Sequence, residues 1–370
     1  MISLFLFFCA LSLLIITLAI VIGFWQYRPK SKASGSSIFT YTILIPTRNP
    51  DKNLVALVEK INSQLLQIQR QISVIVINDH STNDFDFGSL KASVVNLSDE
   101  NTAIDNFKNN KKESINIAVQ RSSSDYIICL DSDVAIPKKW LETIIAEIER
   151  NEPKFLAGLH RFDTRSSLMG QCITIEQDLL TATSIATLYW KIPTMCNGAN
   201  MAFERKAFIE VDGYNELYAI TGGDDMLLYH RIFMKYPEDV HYLKSLDAAV
   251  TSPSPSTFLE LLNQRARWMG KSCQYEVAWI MPILIIISLA TIQLYNSATQ
   301  VLIHKSHLCY WALYAGLLLF LIDSFSRYYP YQKNGIVWLG FVLIYPFYVL
   351  VLAIFMCWRY VITLSSRMDR

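Results

Sequence analysis

The chain of 370 residues has no surplus of charge, with 33 Lys and Arg against 32 Asp and Glu and a formal net charge of +1. That balance gives no reason to expect a nucleic-acid partner, which favours a basic stripe. Its seven cysteines (Cys9, Cys129, Cys172, Cys196, Cys273, Cys309, Cys357) include no C-x-x-C pair and are odd in number. Neither a zinc site built on paired ligands nor an even disulfide framework is expected. Reduced thiols in apolar surroundings suit a cytoplasmic domain. The six histidines show no H-x-x-x-H spacing. No G-x-G-x-x-G or G-x-x-x-x-G-K is present, so no dinucleotide fingerprint or P-loop supports a dehydrogenase or P-loop enzyme.

Charge is missing altogether from residues 2–25, which exceed the ~20 residues a helix needs to cross a hydrocarbon core. The run starts without a basic residue and ends in Phe24-Trp25-Gln26-Tyr27, an interfacial pattern that fits an uncleaved anchor better than a signal peptide. Arg28, Lys30 and Lys32 follow and place the next segment on the cytoplasmic side. Hydrophobic residues make up 52% of the chain and the mean hydropathy is +0.25, with the excess at the two ends. The expected organisation is an anchor over 1–27, a linker over 28–37, an α/β domain over 38–272 and a membrane region over 273–370. Segments near 277–295, 308–323 and 335–357 bring the expected spans to four. That count puts both termini outside, whereas Arg359, Arg367 and Arg370 favour an inside tail.

In the middle of the chain, TYTILIP (40–46), ISVIVIN (72–78) and DYIICLD (125–131) are continuous apolar runs of strand length. Such runs fit strands buried on both faces, as in a parallel sheet. Between the first two, Leu54, Leu57, Val58, Ile61, Leu65 and Ile68 recur at helical spacing over 53–69. The β-α-β order predicts ligands at the carboxyl ends of the strands. Thr47-Arg48-Asn49, Asn78-Asp79-His80 and Asp131-Ser132-Asp133 gather at those ends.

Two aspartates flanking one small residue can offer hard oxygen ligands to Mg2+ or Mn2+, while a diphosphate completes the shell. The same residues also suit a polar turn before Pro137. Asp79, in VINDHSTND, can accept hydrogen bonds from a base or ribose, or close an Asx turn. Asp224-Asp225 follows Gly222-Gly223 and opens a helix, where acidic residues are favoured by the exposed amides. Asp225 could equally serve as a general base on an acceptor hydroxyl. Gln264-Arg265-Ala266-Arg267-Trp268 precedes the membrane region. Its Arg267 fork suits a diphosphate and Trp268 offers a flat face for a sugar or lipid, although both residues also serve as interfacial anchors.

Taken in order, TILIPTRNP (42–50), VIVINDHSTND (74–84), DYIICLDSDV (125–134), CNGANMAFERKAF (196–208), GGDDMLL (222–228) and QRARW (264–268) resemble the inverting family-2 glycosyltransferases of GT-A fold. The membrane-integrated members, such as ceramide glucosyltransferases and hyaluronan, chitin and cellulose synthases, are the most similar in pattern. The resemblance implies a Rossmann-like, mostly parallel α/β sheet and a nucleotide-sugar donor. It implies a divalent cation, Mg2+ or Mn2+, on Asp131 and Asp133, and Asp225 as catalytic base. Pro46, Asp79, Asp131, Gln264 and Arg267 would line the donor, and Gly198, Asn200, Asp224 and Trp268 the acceptor, a lipid or glycan at the cytoplasmic membrane face. Asn78 stands where many relatives have aspartate, and Asp224 where many have glutamate. A polyprenyl-phosphate glycosyltransferase, whose phosphate acceptor needs no base, is the rival expectation, with a polysaccharide synthase coupled to secretion beside it. A scaffold that had lost activity could readily have lost Asp133 or Asp225, and both are present.

Overall fold

The three apolar runs form adjacent strands β1 (Tyr41–Thr47), β2 (Ile72–Asn78) and β4 (Tyr126–Leu130), with β1 in the middle and parallel to both. Helix α2 (Lys52–Leu65) supplies the first crossover, and the Asp51 side chain caps it by accepting from the Asn53 amide at 2.8 Å. The helix ends four residues short of the expected 69, yet Ile68 still packs on the core from beyond its end. Leu54, Leu57, Val58 and Ile61 are buried against Ile43, Ile45, Val74 and Val76 of the sheet. Each such side chain contributes roughly 1.5–3 kcal/mol by leaving water.

This computed structural model describes residues 2–31, 38–97, 111–163, 167–214, 224–272, 306–329 and 334–368. The chain separates into an α/β unit, Arg28–Asp163 with Met195–Pro253, and a helical unit, Met1–Tyr27 with Thr164–Thr194 and Ser254–Arg370. In this division residues 164–194 and 254–272 group with the helices.

Further elements of the α/β unit are β3 (Ser93–Asn96), α3 (Lys111–Arg121), α4 (Trp140–Asn151), β5 (Phe155–Ala157), β6 (His160–Phe162), β7 (Asn200–Glu204), α6 (Arg205–Glu210), α7 (Asp224–Lys235), β8 (Val240–Tyr242) and β9 (Val250–Ser252). Seven strands form one sheet in the order β3-β2-β1-β4-β7-β5-β8, and β6 pairs with β9 separately. Only β7 runs against its neighbours β4 and β5, so the sheet is mixed but mostly parallel, as the GT-A resemblance implies. Because β7 is antiparallel, its first residue, Asn200, pairs with Leu130, the last of β4. The segment leading into β7 therefore reaches the sheet edge where the parallel strands end.

Asn200 makes that junction rigid. It is 1% exposed, its carbonyl oxygen Oδ1 accepts from Trp140 Nε1 at 3.2 Å, and its Nδ2 donates to the carbonyls of Leu159 and Ala248 at 3.0 and 2.9 Å. A Cβ on Gly158 would come within 2.2 Å of Asn200 Nδ2, so this crossing needs glycine.

The helical unit contains α1 (Ile2–Gln26), α5 (Leu168–Tyr189), α8 (Phe258–Ser272), α9 (Ser306–Ser326) and α10 (Gly335–Met368). A Cβ on Gly23 of α1 would stand 2.6 Å from the Ala186 carbonyl of α5, which explains the small residue at that crossing. Phe24 is fully buried among Phe325, Tyr328 and Tyr329, and Trp25 Nε1 donates to Ser324 Oγ at 2.9 Å. Ile175, Ile322, Val337, Phe341 and Val342 form a second core. Among the described residues one stretch, Gly335–Arg359, is long and apolar enough to cross a membrane. Leu11–Gln26 within α1 and Ala312–Ser326 within α9 are shorter apolar stretches, and the expected span at 277–295 lies outside the described residues.

Candidate active site

The tips of β1 and β2 are laced together. The Asp79 amide donates to the Thr47 carbonyl at 2.8 Å, extending the ladder past the end of β2. The Asn49 amide donates to Ser81 Oγ at 2.8 Å, Thr82 N donates to Asn49 Oδ1 at 2.7 Å, and Asn83 Nδ2 donates to the Pro50 carbonyl at 2.7 Å. Asn49 and His80 both have φ of 51°, a left-handed turn that asparagine and histidine tolerate better than most residues. Asn78 donates through Nδ2 to Asn96 Oδ1 at 3.1 Å while its Oδ1 accepts from the Ser81 amide at 3.1 Å. An ionised aspartate could accept but not donate there, which gives the departure at position 78 a structural reason. Asp79 is buried to 9% exposure, with Oδ1 3.1 Å from His80 Nδ1. Pro46 is half-buried in β1, in register with Ile77.

One strand away, Asp131 follows β4. The distance across the intervening β1 is two strand spacings, roughly 10 Å. Lys111, the first residue of α3, extends its ammonium to Asp131 Oδ1 at 2.6 Å and to the Gly198 carbonyl at 2.8 Å. The Gly198 amide in turn donates to Asp225 Oδ2 at 2.9 Å, and Asp225 Oδ1 accepts from the Met226 amide at 2.9 Å. Asp131, Lys111, Gly198 and Asp225 therefore form one hydrogen-bonded chain. A Cβ on Gly198 would lie 3.0 Å from Asp225 Cβ and 3.1 Å from Lys111 Nζ, so glycine lets both partners approach together. Asp133 completes the group. Its carboxyl is pushed above the usual carboxylate range, first by partial loss of solvent around the group and second by the charge of Asp131, with Lys111 opposing.

Two crowded carboxylates that already attract an ammonium are a suitable donor set for a hard divalent cation. Among the described residues no group of three His, Cys, Asp or Glu is placed to hold a metal.

The sequence-derived residues divide between the two units. Asp79, Asp131, Asp133, Gly198, Asn200 and Asp225 lie in the α/β unit, and Gln264, Arg267 and Trp268 lie on α8 in the helical unit. Asn200 has its side chain bonded inward as described. Asp224 begins α7, and Gly222-Gly223 fall outside the described residues.

On α8 the dominant feature is a residue that motif reading passed over. Arg265, 3% exposed, places Nε and Nη2 at 3.0 and 2.7 Å from Glu176 Oε2 of α5. Its Nη1 donates to Gln264 Oε1 at 2.8 Å, and the guanidinium lies over the Trp268 ring, 4.3 Å from its centroid. Gln264 and Trp268 are both oriented by Arg265, and Arg267 is exposed. Lys111 was missed as well, since a lysine 20 positions before Asp131 gives no local signal. Glu176 had one: with Gln177 and Asp178 it forms a run of three polar side chains, all buried, inside α5.

Residues 42–212, from β1 to just past α6, match the family model described as Glycosyl transferase family 2. The protein is a glycosyltransferase, and this segment is similar to the domains of that family. No curated protein is significantly similar to the chain. Among solved structures, a mannosyltransferase from Pyrobaculum calidifontis in complex with GDP-Man and Mn2+ is similar at a TM-score of 0.49 and 14% identity, over 96% of this chain and 99% of that one. Glucosyl-3-phosphoglycerate synthase from Mycobacterium tuberculosis, in complex with Mn2+, uridine-diphosphate and glucosyl-3-phosphoglycerate, gives 0.40 and 16%, over 61% and 75%. Mannosyl-3-phosphoglycerate synthase from Rubrobacter xylanophilus gives 0.42 and 12%, over 64% and 74%.

Proposed function

We propose that this glycosyltransferase moves a sugar with inversion from a nucleotide-sugar donor to a hydroxyl of a lipid or glycan, at the cytoplasmic face of a membrane and with Mg2+ or Mn2+ as cofactor. The observation that supports the reading is the hydrogen-bonded chain from Asp131 through Lys111 and Gly198 to Asp225, which links the expected cation ligand to the expected base.

Asp79, with Pro46 and the laced loops after β1 and β2, receives the nucleoside. Asp131 and Asp133 hold the cation, which when bound neutralises charge on the departing diphosphate. The resemblance assigns Gln264 and Arg267 to the donor and Trp268 to the acceptor, and the planar cationic fork of Arg267 suits a diphosphate. Asp225 removes the acceptor hydroxyl proton as that oxygen attacks the anomeric carbon. Hydrogen bonds from the Gly198 and Met226 amides orient the carboxylate. Gly198 and Asp224 lie on the acceptor side.

The membrane placement is supported by α10. Its 25-residue stretch Gly335–Arg359 is about 37 Å long at 1.5 Å per residue, against a hydrocarbon core of about 30 Å. Leu339, Leu343, Ile344, Phe347, Leu350 and Ile354 are exposed along it, a surface that water would penalise and lipid would not. Arg28 and Lys30 after the apolar α1 favour the cytoplasmic side.

The decisive experiment is Asp225→Asn, assayed for transfer and for donor binding by calorimetry. Transfer is expected to collapse while donor binding persists. A variant as active as the parent removes Asp225 as base. Such a result on a phosphate acceptor would instead favour the polyprenyl-phosphate reading, in which no base is needed. Alkaline carbonate washing of membranes tests the location: the chain is expected in the pellet, and its release would remove the integral assignment.

A further inference from the structure

The chain of contacts through Lys111 does more than join two carboxylates. Its ammonium is a compact point charge with three donors, held between an anionic oxygen and a backbone carbonyl. It pairs with Asp131, the carboxylate assigned to the divalent cation. We propose that Lys111 is the resident counter-ion of Asp131, which a divalent cation arriving with its nucleotide displaces, and that this displacement releases the Gly198 segment that holds Asp225. The inference rests on the reading of Asp131 as a cation and diphosphate ligand.

Three observations carry it. First, the Lys111 ammonium lies 2.6 Å from Asp131 Oδ1, two residues before Asp133, so the expected ligand pair already has a cation beside it. Second, the carboxylates assigned to the cation are the two of Asp131 and Asp133, so phosphate oxygens and water would complete the shell of a hard divalent ion. A lysine competing for Asp131 weakens the hold of that pair, so that the ion enters with the phosphates that complete its shell. Third, Gly198 meets Lys111 through its carbonyl and Asp225 through its amide, with no side chain between them. Once a divalent charge sits on Asp131, the ammonium is repelled and the Gly198 carbonyl loses its donor. The backbone that fixes Asp225 is then free to adjust. Lys111 is thus a positioning residue, and its effect is to make donor arrival precede readiness of the base.

Calorimetry with Mn2+ alone, without nucleotide, tests the competition on the full-length protein. Lys111→Met removes both charge and donor, Lys111→Gln keeps a donor for the Gly198 carbonyl without the charge, and Lys111→Arg keeps the charge. The Met and Gln variants are expected to bind Mn2+ on the order of fivefold more tightly than the parent, the effect of removing one partly screened unit charge beside the ion. The Arg variant should bind as the parent does. Unchanged or weaker Mn2+ binding in Lys111→Gln, with a circular dichroism spectrum like the parent's, overturns the proposal even if Lys111→Met does not fold. Hydrogen exchange tests the coupling. The Gly198 amide of the parent should exchange faster when Mn2+ and a nucleoside diphosphate are added, whereas in Lys111→Met it should be fast already. An amide indifferent to both ligands overturns the release step. Asp131→Asn separates the two layers: if it binds Mn2+ as tightly as the parent, the ligand assignment itself has failed, whatever the Lys111 variants do.

Discussion

In the α/β unit the polar groups with chemistry to perform stand at strand tips, outside a core of leucine, isoleucine and valine. In the helical unit the most consequential polar pair, Glu176 with Arg265, lies inside, between helices whose surfaces are largely apolar. The first arrangement separates stability from function, because the layers of α2 and the sheet hold without Asp131 or Asp225. The second merges them: Arg265 anchors α8 to α5 and at the same time orients Gln264 and Trp268.

That contrast can be broken by substitution. The largest effect is expected on turnover alone. Asp225→Asn should lower the transfer rate by about 10²–10⁴-fold, the usual contribution of a positioned general base, with little change in melting temperature. Equal losses of rate and melting temperature would erase the separation claimed for the α/β unit. Next comes Glu176→Ala, which leaves the Arg265 guanidinium buried without its carboxylate. It should cost about 3–5 kcal/mol of stability in denaturant or thermal unfolding in detergent, and activity should fall with it. A mild effect there would mean that the pair is not the strut of the helical unit. Gly23→Val sharpens the same side of the comparison, since its side chain would meet the Ala186 carbonyl, and overpacking of this kind costs about 1–3 kcal/mol. The smallest effect belongs to Asp51→Ala, where losing the cap of α2 should cost about 1 kcal/mol and leave kcat unchanged.

The same contrast explains what was legible in the sequence. Strand runs such as ISVIVIN are continuous because both faces are covered, so β2 was expected at 72–78 and lies there, and the polar tips followed from the β-α-β order. The apolar spacing over 53–69 announced α2 but not its end, because Ile68 packs on the core from outside the helix. The antiparallel β7 was invisible, since pairing direction depends on the path of the chain and leaves no mark on five residues. It is β7 that carries Gly198 to Asp131. Asn200 was expected to face an acceptor, but its amide is spent on Trp140, Leu159 and Ala248, partners 41 to 60 positions away that no local pattern reveals. Lys111 escaped for the same reason. In the helical unit, hydropathy marks apolar stretches but does not measure how long the helices are or which neighbours cover them. Among the described residues one stretch meets the length for crossing, and the expected span at 277–295 lies outside them.

Between the carbonyl that faces Lys111 and the amide that faces Asp225 there is only the α-carbon of Gly198. The two flanking peptide planes are stiff, so all play between those contacts comes from the φ and ψ of that one residue. A residue with no β-carbon makes both torsions soft. The cleft thus contains a universal joint of minimal size, and a single added methyl would be enough to stiffen it.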